Sequence, residues 1–168
     1  MQYTVTFDSA RLRHLMDALR QELESPQEML GSFGETLLRI NRERHRQGIA
    51  PDGTPWAKLK HPEGKRKGGP LNRSGRMLAN FHYQVTGDTL RLGFDDGDGY
   101  PAKFHQEGSI AHIIAAKNKK ALAFMGIVRK RVKHPGLPAR LLVGFPTSDQ
   151  RLIEEVAQDH LEAVMNRI

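Results

Sequence analysis

The sequence predicts an α+β fold, a small antiparallel sheet of hairpins packed with two N-terminal helices and one C-terminal helix. Three observations carry that prediction. Apolar residues recur with helical spacing before residue 48 and again after residue 147, on faces wide enough to bury. Between them, short runs alternate apolar and polar residues and are separated by Gly, Pro, Asn and Asp, the pattern of hairpins. The change falls at Gly48-Ile49-Ala50-Pro51-Asp52-Gly53-Thr54-Pro55-Trp56, where two prolines, two glycines and an Asp in nine residues exclude both helix and sheet interior. Trp56, the only tryptophan, is expected to pin this turn onto the body of the domain. At 168 residues the chain is long enough for one domain with a real core, taken as 1–168.

Each element has a local reason. Tyr3-Thr4-Val5-Thr6-Phe7 alternates as a strand does. Asp8 or Ser9 can cap a first helix whose apolar stripe is Leu12, Leu15, Met16, Leu19 and Leu23, ending near Ser25. Ser25, Pro26 and Glu28 then give a cap, a first helical position and a capping box for a second helix through Met29, Leu30, Phe33, Leu37 and Ile40. Arg42, Arg44 and Arg46 crowd its last turns, and Gly48 stands at its C-cap. Gly31 and Gly34 weaken that helix, which predicts close packing against another element. Residues 58–70 and 126–137 are predicted as flexible basic loops. Asn72 or Ser74 caps a short helix through Met77, Leu78 and Phe81.

A hairpin follows, with His82-Tyr83-Gln84-Val85 and Thr89-Leu90-Arg91-Leu92-Gly93-Phe94 around Thr86-Gly87-Asp88. Asp95-Asp96-Gly97-Asp98-Gly99 reads as an acidic turn, and Tyr100 to Glu107 as one or two helical turns stopped by Gly108. A second hairpin is predicted from residues 110–116 and 121–124, with Lys117-Asn118-Lys119-Lys120 at its tip. Leu141-Leu142-Val143-Gly144-Phe145 reads as a short buried strand or its edge. Thr147, with Gln150 at the capping-box position, starts the last helix, whose stripe is Leu152, Ile153, Val156, His160, Leu161, Val164, Met165 and Ile168.

Charge narrows the functional classes. Of the net +7, eight positive charges lie between Gly108 and Ser148 with no Asp or Glu among them, so the remainder nets −1. Such a segment makes a positive face suited to phosphate or to an acidic protein surface. Lys117, Lys119, Lys120, Arg129, Lys130, Arg131 and Lys133 are therefore the candidates to face a partner or DNA; the alternative is a solvated loop face. No run of eighteen apolar residues and no signal-peptide pattern occurs, which argues against a membrane partner. Zero cysteines exclude disulfides, thiolate metal sites and thiol catalysis.

Catalytic patterns are not found. His105, His112 and His134 lie near Glu107 in sequence, but their spacing matches no zinc pattern. The acidic turn lacks the closing Glu and flanking helices of a calcium loop. Asp52, Asp95, Asp96 and Asp98 do not have the order of a nuclease metal cluster. Nucleophile elbow, phosphate loop, dinucleotide fingerprint and kinase set are all missing. The residues thus predict no catalytic site, no metal and no cofactor. A basic nucleic-acid-binding protein is the alternative that charge supports, although no recognition helix or stacking platform is evident.

Four motifs in order carry a resemblance. They are Pro51-Asp52-Gly53-Thr54-Pro55-Trp56 with Leu59, Leu71-Asn72-Arg73-Ser74-Gly75-Arg76-Met77-Leu78, Ala102-Lys103-Phe104-His105-Gln106-Glu107-Gly108, and Pro138-Ala139-Arg140 before an apolar-Gly run. Together they resemble the Mu-like phage virion morphogenesis proteins, also described as tail-completion proteins, from about residue 25 to the last helix. The run from His112 to Phe124 is similar to the hairpin of related neck proteins of long-tailed phages. Leu141-Leu142-Val143 departs from the pattern, where the resemblance leads to an aromatic. The resemblance implies a non-enzymatic subunit made in the bacterial host cytoplasm and carried into the virion. It would join the tail end as a ring, contact other tail and head-connector proteins, and touch DNA passing the channel. Within the motifs, Pro51, Asp52, Gly53, Trp56, Ser74, Gly75, His105, Glu107, Gly108, Pro138, Ala139 and Arg140 are implied as structural.

Overall fold

The computed structural model describes residues 10–59, 70–71, 75–94, 96–117, 120–124 and 126–167. The predicted strand at 3–7, most of the loop at 58–70 and both candidate caps Asn72 and Ser74 lie outside these residues. The elements in order are α1 (Ala10–Glu24), α2 (Gln27–Gln47), α3 (Arg76–Ala79), β1 (Phe81–Thr86), β2 (Thr89–Phe94), α4 (Asp96–Glu107), β3 (His112–Ala115), β4 (Leu122–Phe124), β5 (Ile127–Arg129), β6 (Arg131–His134) and α5 (Thr147–Asn166). The class is α+β, and its strands form three two-stranded sheets, β1-β2, β3-β6 and β4-β5.

The chain groups into two compact units, each built from separate stretches. The first comprises Met1–Ile40, Phe81–Gly93 and Phe145–Ile168. Here α1 packs on α5, and Leu37, Leu38 and Phe81 are buried. The buried face of α1 is turned from the predicted stripe: Leu15, Ala18, Leu19 and Glu22 are half-buried, whereas Leu12, Met16 and Leu23 are exposed. The physical reason is a polar pair, His160 Nε2 and Glu22 Oε1 at 2.7 Å, both mostly buried, which draws Glu22 inward. Gly34 is the close-packing glycine, because a Cβ there would overlap the Tyr83 ring, whose hydroxyl donates to Glu35 at 3.0 Å. Among the described residues nothing stands within 4 Å of where a Cβ on Gly31 would lie.

The second unit comprises Asn41–Asn80 and Phe94–Gly144. Its core is Ala50, Trp56, Ala102 and Leu142, with Leu71, Met77, Phe94 and Val143 against it. The helix ends of the prediction shift in several places. Gly75, with φ 71°, is the N-cap of α3, no side chain caps it, and Phe81 begins β1. Of the predicted acidic turn, residues 96–99 are instead the start of α4, and Asp95 lies outside the described residues. In the first unit, α5 is capped by the Pro146 carbonyl, which accepts from the amides of Asp149 and Gln150, and not by the Thr147 side chain.

Candidate functional site

The motifs predicted to be structural meet in the second unit. Helix α2 ends at Gly48, and the chain doubles back through an Ile49–Pro55 bridge, closed by Trp56 N–H donating to the Gly48 carbonyl at 2.8 Å. Asp52 Oδ1 accepts the Thr54 amide at 2.9 Å, the turn chemistry for which Asp is suited. Hydrogen bonds from Thr54 hold the Asp52 carboxyl below the usual range. This turn delivers Trp56, 7% exposed, into the core. Its indole N–H donates to the Leu141 carbonyl at 3.0 Å, and its ring meets His45 edge-on with centroids 5.2 Å apart. Pro51 is buried, while Asp52 and Gly53 are exposed.

The third and fourth motifs lock onto the first. Arg140, 5% exposed, donates from Nε and Nη2 to the Ala57 carbonyl at 3.1 and 2.8 Å. Its backbone amide donates to the His105 carbonyl at 2.6 Å. Among the described residues no carboxylate pairs with Arg140, and burial pushes its pKa down. His105 beside it is held below its ordinary value, first by burial and then by the Arg140 charge. Its Nδ1 is buried with no hydrogen-bond partner. Gly108 has φ 76°, and a Cβ there would stand 2.8 Å from the Leu137 carbonyl and 2.9 Å from the Ala139 amide. Pro138 and Ala139 are exposed and lead into Arg140, and Glu107 is exposed at the end of α4.

Gln106 is the residue that sequence reasoning missed. Its Oε1 accepts the amides of Leu142 and Val143 at 2.6 and 3.1 Å, and its Nε2 donates to the Val143 carbonyl at 2.9 Å. Residues 141–145, predicted as a strand, therefore have no ladder; one glutamine side chain substitutes for the neighbouring strand. Nothing in the sequence marks this, since a glutamine between His105 and Glu107 looks like any surface position. A groove of about 380 Å³ lies alongside, lined by Phe94, Ala102, Lys103, Gln106, Glu107, Leu142 and Val143.

Above this clamp rises the basic segment. Ser109 and Leu137 exchange backbone hydrogen bonds at 3.0 and 3.1 Å, and from that bridge the chain runs out and back as one ribbon. The predicted second hairpin does not form. β3 pairs with β6, from His112–His134 to Ala115–Arg131, and β4 pairs with β5, from Leu122–Arg129 to Phe124–Ile127. Thus residues 126–137, predicted as a loop, supply the return strands. Lys117 and Lys120 sit in a bulge on the outgoing side, not at a hairpin tip, opposite Lys130, whose carbonyl accepts the Ala116 amide at 3.3 Å. Arg129 to Lys133 takes the strand because alternation persists there beneath the charge, with Ile127 and Val132 opposite Phe124 and Ile114.

Lys117, Lys120, Arg129, Lys130, Arg131 and Lys133 are all exposed on this ribbon, and Lys119 lies outside the described residues. His112 and His134 face each other across it, with ring centroids 4.9 Å apart. His112 Nδ1 donates to the Ile110 carbonyl, whereas His134 Nδ1 accepts the Gly136 amide, so backbone partners fix opposite tautomers. Among the described residues no group of three or more His, Cys, Asp or Glu is placed to hold a metal ion, and no helix is long and apolar enough to cross a membrane.

The geometry is that of a protein whose motif residues build a clamp and whose charge is carried outward on a ribbon. No curated protein and no solved structure matches the chain. The family model described as the phage virion morphogenesis family matches residues 7–162, a span that includes every motif of the clamp and the whole ribbon. The chain therefore belongs to the phage virion morphogenesis family, and its role is a structural one in phage assembly.

Proposed function

We propose that this protein is a non-enzymatic tail-completion, or neck, subunit that acts as a ring in tail assembly and head-tail joining. On this reading it is made in the host cytoplasm and ends in the virion, in contact with other tail proteins and the head connector. The observation that carries the reading is the family match over residues 7–162, joined to a motif set spent on the clamp. Trp56, Gln106 and Arg140 fix the ribbon base through backbone carbonyls and amides, which supports an architectural use of these motifs. A phage lacking the protein is expected to make filled heads and tails that do not join, and purified protein added to those tails is expected to restore joining. Normal joining without it would remove the reading.

The exposed, acid-free basic ribbon favours one second reading, a nucleic-acid-binding protein. Size exclusion with light scattering and the 260/280 absorbance ratio separates the two. Nucleic acid that co-elutes and is stripped by high salt would favour the second reading. A nucleic-acid-free species favours the assembly subunit.

A further inference from the structure

Among the described residues the ribbon is two strands wide along its length. It has only two strands, and none of the named strands of the chain adds a third to either pair. A lone two-stranded ribbon is marginal in water and gains stability from a surface that covers it. Its side chains ask for a protein surface. Ile110 is 86% exposed, Ile113 62% and Val128 68%, interleaved with Arg129, Lys130, Arg131 and Lys133. Cross-strand partners share a face, so Ile113 and Ala115 stand with Lys133 and Arg131 on one side of the ribbon. A phosphate backbone would satisfy those charges and leave the branched aliphatics in water; a helix with carboxylates would cover both.

The same chain carries such a helix. α5 holds five carboxylates against a single arginine. Glu155, Asp159 and Glu162 fall at i, i+4 and i+7, which places them on one stripe; all are exposed, and none has an ion-pair partner among the described residues. The spacings are commensurate. Arg131 to Lys133 covers about 7 Å of strand, which fits within the roughly 10 Å of helix from Glu155 to Glu162.

We propose that the ribbon of one copy lays its Ile113, Arg131 and Lys133 face along the Glu155, Asp159 and Glu162 stripe of α5 in the next copy. The two patches differ, so the contact is head-to-tail, the kind that closes into a ring. The inference deepens the ring reading and rests on it.

Charge reversal on each side tests it. The full-length protein, R131E/K133E, and E155K/D159K/E162K are sized by light scattering after gel filtration, free and on isolated tails. The wild type is expected to form a discrete, salt-sensitive oligomer, and each reversal to weaken it by about tenfold or more. Mixing the two reversed proteins is expected to restore assembly, because each then offers the charge that the other lacks. Restoration on mixing also shows that both variants are folded. If the wild type assembles and both reversals assemble equally well, the ribbon-to-α5 contact is wrong and the ring reading stands. If the wild type forms no oligomer, free or on tails, the ring reading falls and takes this contact with it. If R131E/K133E loses only co-eluting nucleic acid, the ribbon serves that ligand and the contact is overturned.

Discussion

At the scale of single residues, the clamp depends on side chains that meet backbone. Gly108 is held at positive φ with the Leu137 carbonyl and Ala139 amide where a Cβ would go, and neither can swing away as a flexible side chain would. Gly108→Ala is expected to cost about 2 kcal/mol, read by chemical denaturation. Gly34→Ala should cost a similar amount, about 1–3 kcal/mol, by forcing the Tyr83 ring off Glu35. Gly31→Ala, facing open space within α2, should be neutral or slightly stabilising. His105 makes stability depend on pH. Its folded pKa is depressed, so in the interval below the ordinary value of 6.5 the unfolded chain binds more protons than the folded one. Its contribution is therefore intact above pH 6.5 and lost as pH falls through the folded pKa. The melting temperature of the wild type should drop relative to that of His105→Gln between pH 7 and pH 5; parallel curves for the two proteins would remove His105 from the account.

At the scale of elements, Gln106 joins α4 to a segment that never enters a sheet. Gln106→Ala frees two amides and a carbonyl at 142 and 143, and should cost about 1–2 kcal/mol. Gln106→Glu keeps the acceptor for both amides and should recover part of that loss. The helices α1, α2 and α5 and the β1-β2 hairpin were legible from period and turn chemistry, because their signals are local. Trp56 as an anchor was legible too, from size alone. The ribbon was not, since pairing between residues twenty apart leaves no local trace, and Lys117-Asn118-Lys119-Lys120 has better turn chemistry than the real reversal at Gly126. Charge also masked β6, where Val132 stands among Arg131, Lys133 and His134, and β5 is only three residues long. The expected side-chain caps are not made: α3 follows Gly75 with no side-chain hydrogen bond, and at α5 the Pro146 carbonyl accepts the amides of Asp149 and Gln150.

At the scale of the molecule, the charged ribbon and the acidic α5 belong to different compact units. Trypsin is expected to cut the free protein between residues 117 and 133, where exposed Lys and Arg coincide with strands that have no third neighbour among the described residues. The same sites should be protected on completed tails; equal cleavage in both states would show that the ribbon stays uncovered. The bulge offers a practical consequence. Six residues, 116–121, lie between β3 and β4 on the outgoing side, while Lys130 alone lies between β5 and β6 on the return. Neither ladder counts those six, so lengthening them shifts the phase of neither strand pair. An epitope or a fluorophore-accepting peptide spliced in at 118 would give electron microscopy a fiducial for locating this subunit in the particle.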